Sequence, residues 1–204
     1  MRRPKSATAV AIALLVLAFL TWAVVVRSGP LPGDLWVVRN AQELGQPVPT
    51  LAELVRLTTS TEACLIASIP AIVWLRRHHP LSVLPIVVIG LTWMLGVQPV
   101  SKELVDRPRP SEQQVDVRAD HSSESYPAGH SLSTTATWGA ASAYAWRNGR
   151  RWSAAALGLP VLLTGISSSV QGVHWPSDAL AGTIIGGLAA WLIVWMLSRS
   201  RQSS

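Results

Sequence analysis

Six stretches of this sequence, near residues 7–26, 57–75, 81–98, 130–146, 152–170 and 179–197, are dominated by apolar side chains, and that pattern limits the fold more than any other feature. A bilayer core needs roughly 20 apolar residues per helical crossing. Ala7 to Val26 and Ala179 to Leu197 come close to that length without one charged residue. Backbone polar groups in lipid must be satisfied inside each segment, so such spans are helices. A chain of 204 residues has room for six crossings with their connections. Charged residues make up 14%, against roughly 25% in soluble domains, which excludes disorder and a charged, water-facing surface. The expected fold is all-α: an integral membrane bundle of six transmembrane helices forming one domain over residues 1–204.

Charge sets the expected topology. Arg2, Arg3 and Lys5 precede the first segment, Arg76 and Arg77 follow the second, Arg147, Arg150 and Arg151 separate the fourth and fifth, and Arg199 and Arg201 end the chain. With six crossings all of these fall on one side, and all 11 acids lie in the opposite loops or the span ends bordering them. The positive-inside rule then puts both termini in the cytoplasm of a cell (inner) membrane. The net charge of +6 is thereby accounted for without nucleic acid. Trp74, Trp146 and Trp152 fall at inner boundaries and Trp175 at an outer one. The first segment is too long for a signal-peptide h-region and lacks a clean cleavage site, so it reads as a retained span. The second carries Glu62 and Pro70, and the fourth is rich in Ser and Thr, as suits helices facing partners or a polar site. Apolar residues at helical spacing over Thr50–Leu57 predict a helix that runs into the second span.

Three outward stretches carry the chemistry. Lys102-Glu103-Leu104-Val105-Asp106-Arg107-Pro108-Arg109-Pro110 holds a lysine and two arginines, with prolines that favour an extended backbone after the third span. Tyr126-Pro127-Ala128-Gly129-His130-Ser131 opens the fourth span, where unpaired amides and Gly129 suit a close-approaching anion. His174 and Asp178 are four apart, on one face of a helical turn at the start of the last span. Each stretch alone has a plainer reading: a basic cluster near headgroups, an interfacial turn, an acid at a helix N-terminus. Together they assemble two histidines, one backed by a carboxylate, with cations and amides for an anion. That set matches phosphoryl transfer through an imidazole. Carboxylates are too sparse, and neighbouring cations too many, for a two-metal centre. Cys64 reads as packing, and His121 as a solvated loop residue.

The order and spacing resemble the type 2 phosphatidic acid phosphatase / vanadium haloperoxidase superfamily, in its six-span lipid-phosphatase form. The first motif (Lys, six residues, Arg-Pro) is met by Lys102, Arg109 and Pro110. The second (Pro-Ser-Gly-His) is met by Pro127, Gly129 and His130; the third (Ser-Arg, five residues, His, three residues, Asp) by Ser167, His174 and Asp178. The resemblance implies that His174 forms a phosphohistidine, Asp178 orients it, and His130 protonates the leaving group. Lys102, Arg109 and the Gly129 amide would bind phosphate. The implied substrate is a lipid phosphate or pyrophosphate, cleaved at the outer membrane–water interface with no metal or other cofactor. Polyprenyl pyrophosphate, phosphatidate and phosphatidylglycerophosphate are the candidate substrates.

Two positions depart from the pattern: Ala128 replaces the second motif's Ser, and Ser168 the third motif's Arg. Losing a charged donor in a desolvated site costs on the order of 1.5–3 kcal/mol. Arg107 or Arg118 is the expected stand-in for the missing guanidinium, so Arg107 joins the phosphate-binding set. The alternative is a weakened relative that binds lipid phosphates without hydrolysing them; a haloperoxidase is disfavoured by the six spans.

Overall fold

The computed structural model describes residues 4–45, 49–119 and 123–200, and among these all regular structure is helical. Helices α1 (Pro4–Arg27), α2 (Asp34–Leu44), α3 (Pro49–Thr58) and α4 (Thr61–His78) come first. Next, α5 (Pro80–Leu91) passes through a π-helical stretch, Thr92–Val97, into α6 (Gln98–Val105). After a long connection, α7 (Gly129–Thr134), a second π stretch (Thr135–Gly139) and α8 (Ala140–Arg147) form one helical rod. Helices α9 (Arg151–Val170) and α10 (Pro176–Ser200) complete the chain.

Four stretches are long and apolar enough to cross a membrane: Ala7–Arg27, Leu81–Val105, Arg151–Val170 and Pro176–Arg199. The bent pair Thr50–Thr58 and Thr61–His78 makes a fifth if it crosses as one. The outward faces are greasy: Leu81 is 92% exposed, Trp152 91% and Leu15 70%, a belt stable only against acyl chains. The protein is an integral membrane protein. The expected count of six is not reached on this criterion, and the rod from Gly129 to Arg147 shows why. Its Ser131, Ser133, Thr134 and Thr135 are buried among other helices, so it needs little of the hydrophobicity that lipid contact demands.

The helix expected over 50–57 is present, but it does not continue into α4. Ser60 caps α4, its hydroxyl accepting from the Ala63 amide at 3.1 Å, and the two helices meet at a 53° bend. The third span runs further than expected, to Val105, so Lys102 sits on a helical turn; Asp106, at φ 45°, ends the helix and begins the Arg-Pro segment.

Small residues then position the site. α10 packs closely on α7 and the π stretch beyond it. At Gly182 a Cβ would lie 3.2 Å from both the Leu132 nitrogen and the Ser131 Cβ, so only a bare glycine allows this approach. The two helix starts are joined directly, the Ala128 amide donating to the Asp178 carbonyl at 3.0 Å. Leu132, Ala136, Ile185 and Ala189 fill the core between them, with Cys64 and Met94. Cys64 is packing, as expected. Trp175 is not interfacial: it is 1% exposed, packed with Val38 and Val115, its indole N–H bonded to the Pro108 carbonyl at 3.0 Å.

Candidate active site

The three outward stretches converge at one end of the bundle, where α6 ends and α7 and α10 begin. His174 lies in the turn before α10, 4% exposed. Its Nε2 faces the Arg109 guanidinium, 3.3 Å from Nη1. Its Nδ1 faces the other way, toward the Ser125 hydroxyl at 3.4 Å, with the Asp178 carboxylate 3.9 Å off. Ser125 itself donates to Asp178 Oδ2, which also accepts the Trp175 amide at 3.0 Å. Asp178 therefore reaches the imidazole through a hydroxyl rather than directly. With the Ser125 proton on Asp178, the Ser125 oxygen accepts from Nδ1–H, which leaves the Nε2 lone pair facing the cations.

Burial pulls the His174 pKa down to about 4; Asp178 opposes that shift, while Arg109 and Lys102 add to it. The imidazole is thus neutral, and nucleophilic, at ordinary pH. Burial also lowers Arg109, to about 10, with Asp178 and Glu124 pushing back, so it keeps its charge.

Arg109 and Lys102 face a common oxygen. The Ser123 hydroxyl lies 3.2 Å from Lys102 Nζ and 3.4 Å from Arg109 Nη2. The Ser123 carbonyl accepts from Arg109 Nε at 2.6 Å, and the Glu124 carbonyl from Lys102. Arg109 Nη1 also donates to the Val173 carbonyl at 2.6 Å, so the two cations together face four oxygens, a cluster of charged donors of the kind that holds an oxyanion. His130, half-buried at the start of α7, feels Arg109 and Lys102 as His174 does, so both imidazoles share one electrostatic environment. The Gly129 backbone is buried beneath Gln98, one turn before Lys102 on α6; a Cβ there would strike the Gln98 amide. The Oε1 of Gln98 is itself buried without a partner.

Arg107 is a correction. Its side chain is shut off from solvent and all five of its N–H groups are directed at protein acceptors. Nη2 donates to Asp34 Oδ2 and the Gly29 carbonyl, both at 2.8 Å, and Nε to the same carbonyl at 3.3 Å. Nη1 meets Ser177 Oγ at 2.8 Å and Asp178 Oδ1. No donor is left for a phosphate, so Arg107 is the cation that holds Asp178 in place. Arg118, the other expected stand-in, pairs with the surface carboxylate of Asp116 at 2.7 Å. His121 lies outside the described residues. His78 stacks on Trp74 (centroids 4.8 Å apart) at the C-terminus of α4, beside Arg76 and Arg77.

Three residues at this end of the bundle escaped the sequence reading: Asp34, Ser125 and Gln98. Ser125 lies two residues before the second motif's Pro127, and Gln98 shares a helix face with Lys102; those positions were the available signals. Asp34, at the start of α2, is far away along the chain and offered none.

The motif-bearing half of the chain, residues 95–202, matches the family model for the PAP2 superfamily. The fold is similar to the crystal structure of the first transmembrane PAP2 type phosphatidylglycerolphosphate phosphatase from Bacillus subtilis, with a TM-score of 0.79. That match covers 93% of this chain and 96% of the other, at 20% sequence identity. No match was found among curated proteins. With the family model spanning more than half of its residues and the helical fold shared throughout, the chain belongs to the PAP2 superfamily.

Proposed function

We propose that this membrane protein hydrolyses a lipid phosphate or pyrophosphate through a phosphohistidine on His174. The observation that carries the reading is the two-sided setting of that imidazole. Nε2 faces Arg109 at 3.3 Å, while Nδ1 is turned to the Ser125 hydroxyl that bonds Asp178. Nε2 attacks phosphorus and the bond to the lipid oxygen breaks; His130, which takes up a proton as the anionic phosphate offsets the cations around it, gives that proton to the leaving oxygen. Water, losing a proton to His130, then displaces His174 and releases inorganic phosphate. Lys102 and Arg109 hold the phosphoryl oxygens in place of the Ser123 and Glu124 oxygens they now face, and the Gly129 amide adds a further donor. Charge-rich phosphate at a span end, with an apolar belt beside it, suits a substrate whose tail stays in the bilayer. The orientation follows from the positive-inside rule: termini in the cytoplasm, site facing outside or periplasm of the inner membrane.

Phosphatidylglycerophosphate, phosphatidate and polyprenyl pyrophosphate are the candidate substrates, the first because the Bacillus subtilis relative is a phosphatidylglycerolphosphate phosphatase. A second reading, lipid-phosphate binding without hydrolysis, is favoured by one observation: Ser168 is buried and its hydroxyl is turned back onto the Thr164 carbonyl at 2.9 Å, away from any anion. Phosphate release from a detergent-solubilised lipid panel, wild type beside His174→Ala, separates the two. Hydrolysis predicts release that survives chelator, is blocked by vanadate and disappears in the variant. Binding without release in the wild type favours the second reading, and loss of turnover on chelation refutes the mechanism.

A further inference from the structure

Ser168 lies on the part of α9 that another helix, α3, packs against. Ser167, its neighbour, donates to the Ala52 carbonyl at 2.5 Å and fixes α3 against this point of α9. Arg56 lies one turn beyond Ala52, on the same face of α3. The residues that follow it are tied to the rod that begins with His130: Thr134 Oγ1 donates to the Thr59 carbonyl at 3.2 Å, and the Thr61 and Ser133 hydroxyls meet at 3.0 Å. The segment that carries Arg56 is therefore tied to α9 before it, at Ala52, and to α7 after it, at Thr59 and Thr61. Its Nε is buried without a partner, and among the described residues no carboxylate pairs with it. Of the charged side chains acting on the His130 imidazole, Arg56 comes first, ahead of Glu62, Arg109 and Lys102. A half-buried cation with an unspent donor is costly by itself and favourable beside an anion.

We propose that Arg56 binds the transferring phosphoryl group, replacing from α3 the guanidinium that the third motif lacks at Ser168. This rests on the phosphatase reading above and names a further residue of the same site. A small side chain at 168 is then a requirement, since two guanidinium groups there would repel each other.

The test uses the full chain in detergent, with a short-chain phosphatidate as substrate and vanadate as inhibitor. Arg56→Ala and the stem-preserving Arg56→Gln should each lower kcat/KM roughly 10- to 100-fold and weaken vanadate inhibition in parallel, as expected for loss of a charge-assisted bond. Arg56→Lys should recover part of that loss, and Ser168→Arg placed in the Arg56→Ala background should recover more. The ligand-free thermal midpoint should not fall, because the lost group had no partner. Variants within twofold of wild type in both kcat/KM and vanadate inhibition overturn the proposal. So does a loss of activity matched by a fallen thermal midpoint with vanadate affinity intact. If the wild type hydrolyses nothing on a broad lipid panel, the phosphatase reading fails separately. Arg56 is then judged by thermal stabilisation with vanadate: it must appear in the wild type and be lost in Arg56→Ala, and any other pattern overturns the proposal.

Discussion

Replacing Arg107 by Met gives the most direct test of how the site is held together. In the native chain the guanidinium neutralises two buried carboxylates, Asp34 and Asp178, with no side-chain exposure of its own. Met fills a similar volume but leaves both acids without their cation. Asp34 keeps the Leu31 amide at 2.9 Å, the Ser177 amide at 3.0 Å and the Ser177 hydroxyl at 2.6 Å; Asp178 keeps the Trp175 amide and Ser125. Breaking a buried pair on one side costs about 3–5 kcal/mol. At roughly 2–4 °C per kcal/mol for a chain of this size, the thermal midpoint should fall by about 6–20 °C. Arg107→Lys should land between, because an ammonium offers three donors where five are used. Adding Asp34→Asn to Arg107→Met should restore about 0.5–3 kcal/mol, since one orphaned charge is then removed. Thermal unfolding in detergent, run without ligand and with vanadate, reads all of these. A Met variant that melts within about a degree of wild type yet loses vanadate affinity tenfold would refute the argument and return Arg107 to the phosphate-binding set.

Four further outcomes follow from the same site. With the His174 pKa near 4, the proposed nucleophile stays unprotonated well below the usual histidine range, so the acid limb of kcat/KM should fall near pH 4 to 5 and not near 6.5. The folded-state value is lowered, so the unfolded chain binds the extra proton: stability is full above pH 6.5 and declines as pH drops toward 4, by up to about 3 kcal/mol, an acid sensitivity that His174→Gln should reduce when melting is followed against pH. Ser125→Ala should lower kcat roughly tenfold with little change in KM, because it unlinks Asp178 from the imidazole without touching the cations; an unchanged kcat would show that the 3.4 Å approach is idle. Gly182→Ala puts a methyl 3.2 Å from the Ser131 Cβ and the Leu132 nitrogen, so it should cost about 1–3 kcal/mol by thermal melting and depress turnover as α7 and α10 separate.

What the sequence revealed, and what it hid, divides along the range of the interactions involved. Apolar run length foretold the helices because lipid allows a backbone few other choices. His174 and Asp178 were legible because four residues on a helical turn is a local relation. Lys102 and Arg109 were legible from their spacing in the resembled motif. Arg107 and Arg109 were not separable by inspection: two residues apart, each followed by proline, they carry the same charge and the same local grammar. What distinguishes them is Asp34, 73 positions from Arg107, which takes one guanidinium into a buried pair and leaves the other beside His174. The bundle's fourth rod misled the span count for a related reason. Its serines and threonines mark it as polar, and only the surrounding helices, which bury it, make that polarity compatible with a membrane protein. The same long-range logic applies to the missing arginine of the third motif. A motif read along the chain registers Ser168 as a loss, whereas the anion experiences a volume of space, and a guanidinium entering that volume from α3 satisfies it as well as one from α9. Departures from a linear pattern in a small helical bundle therefore bear on activity only after each neighbouring helix has been checked for a charge without a partner.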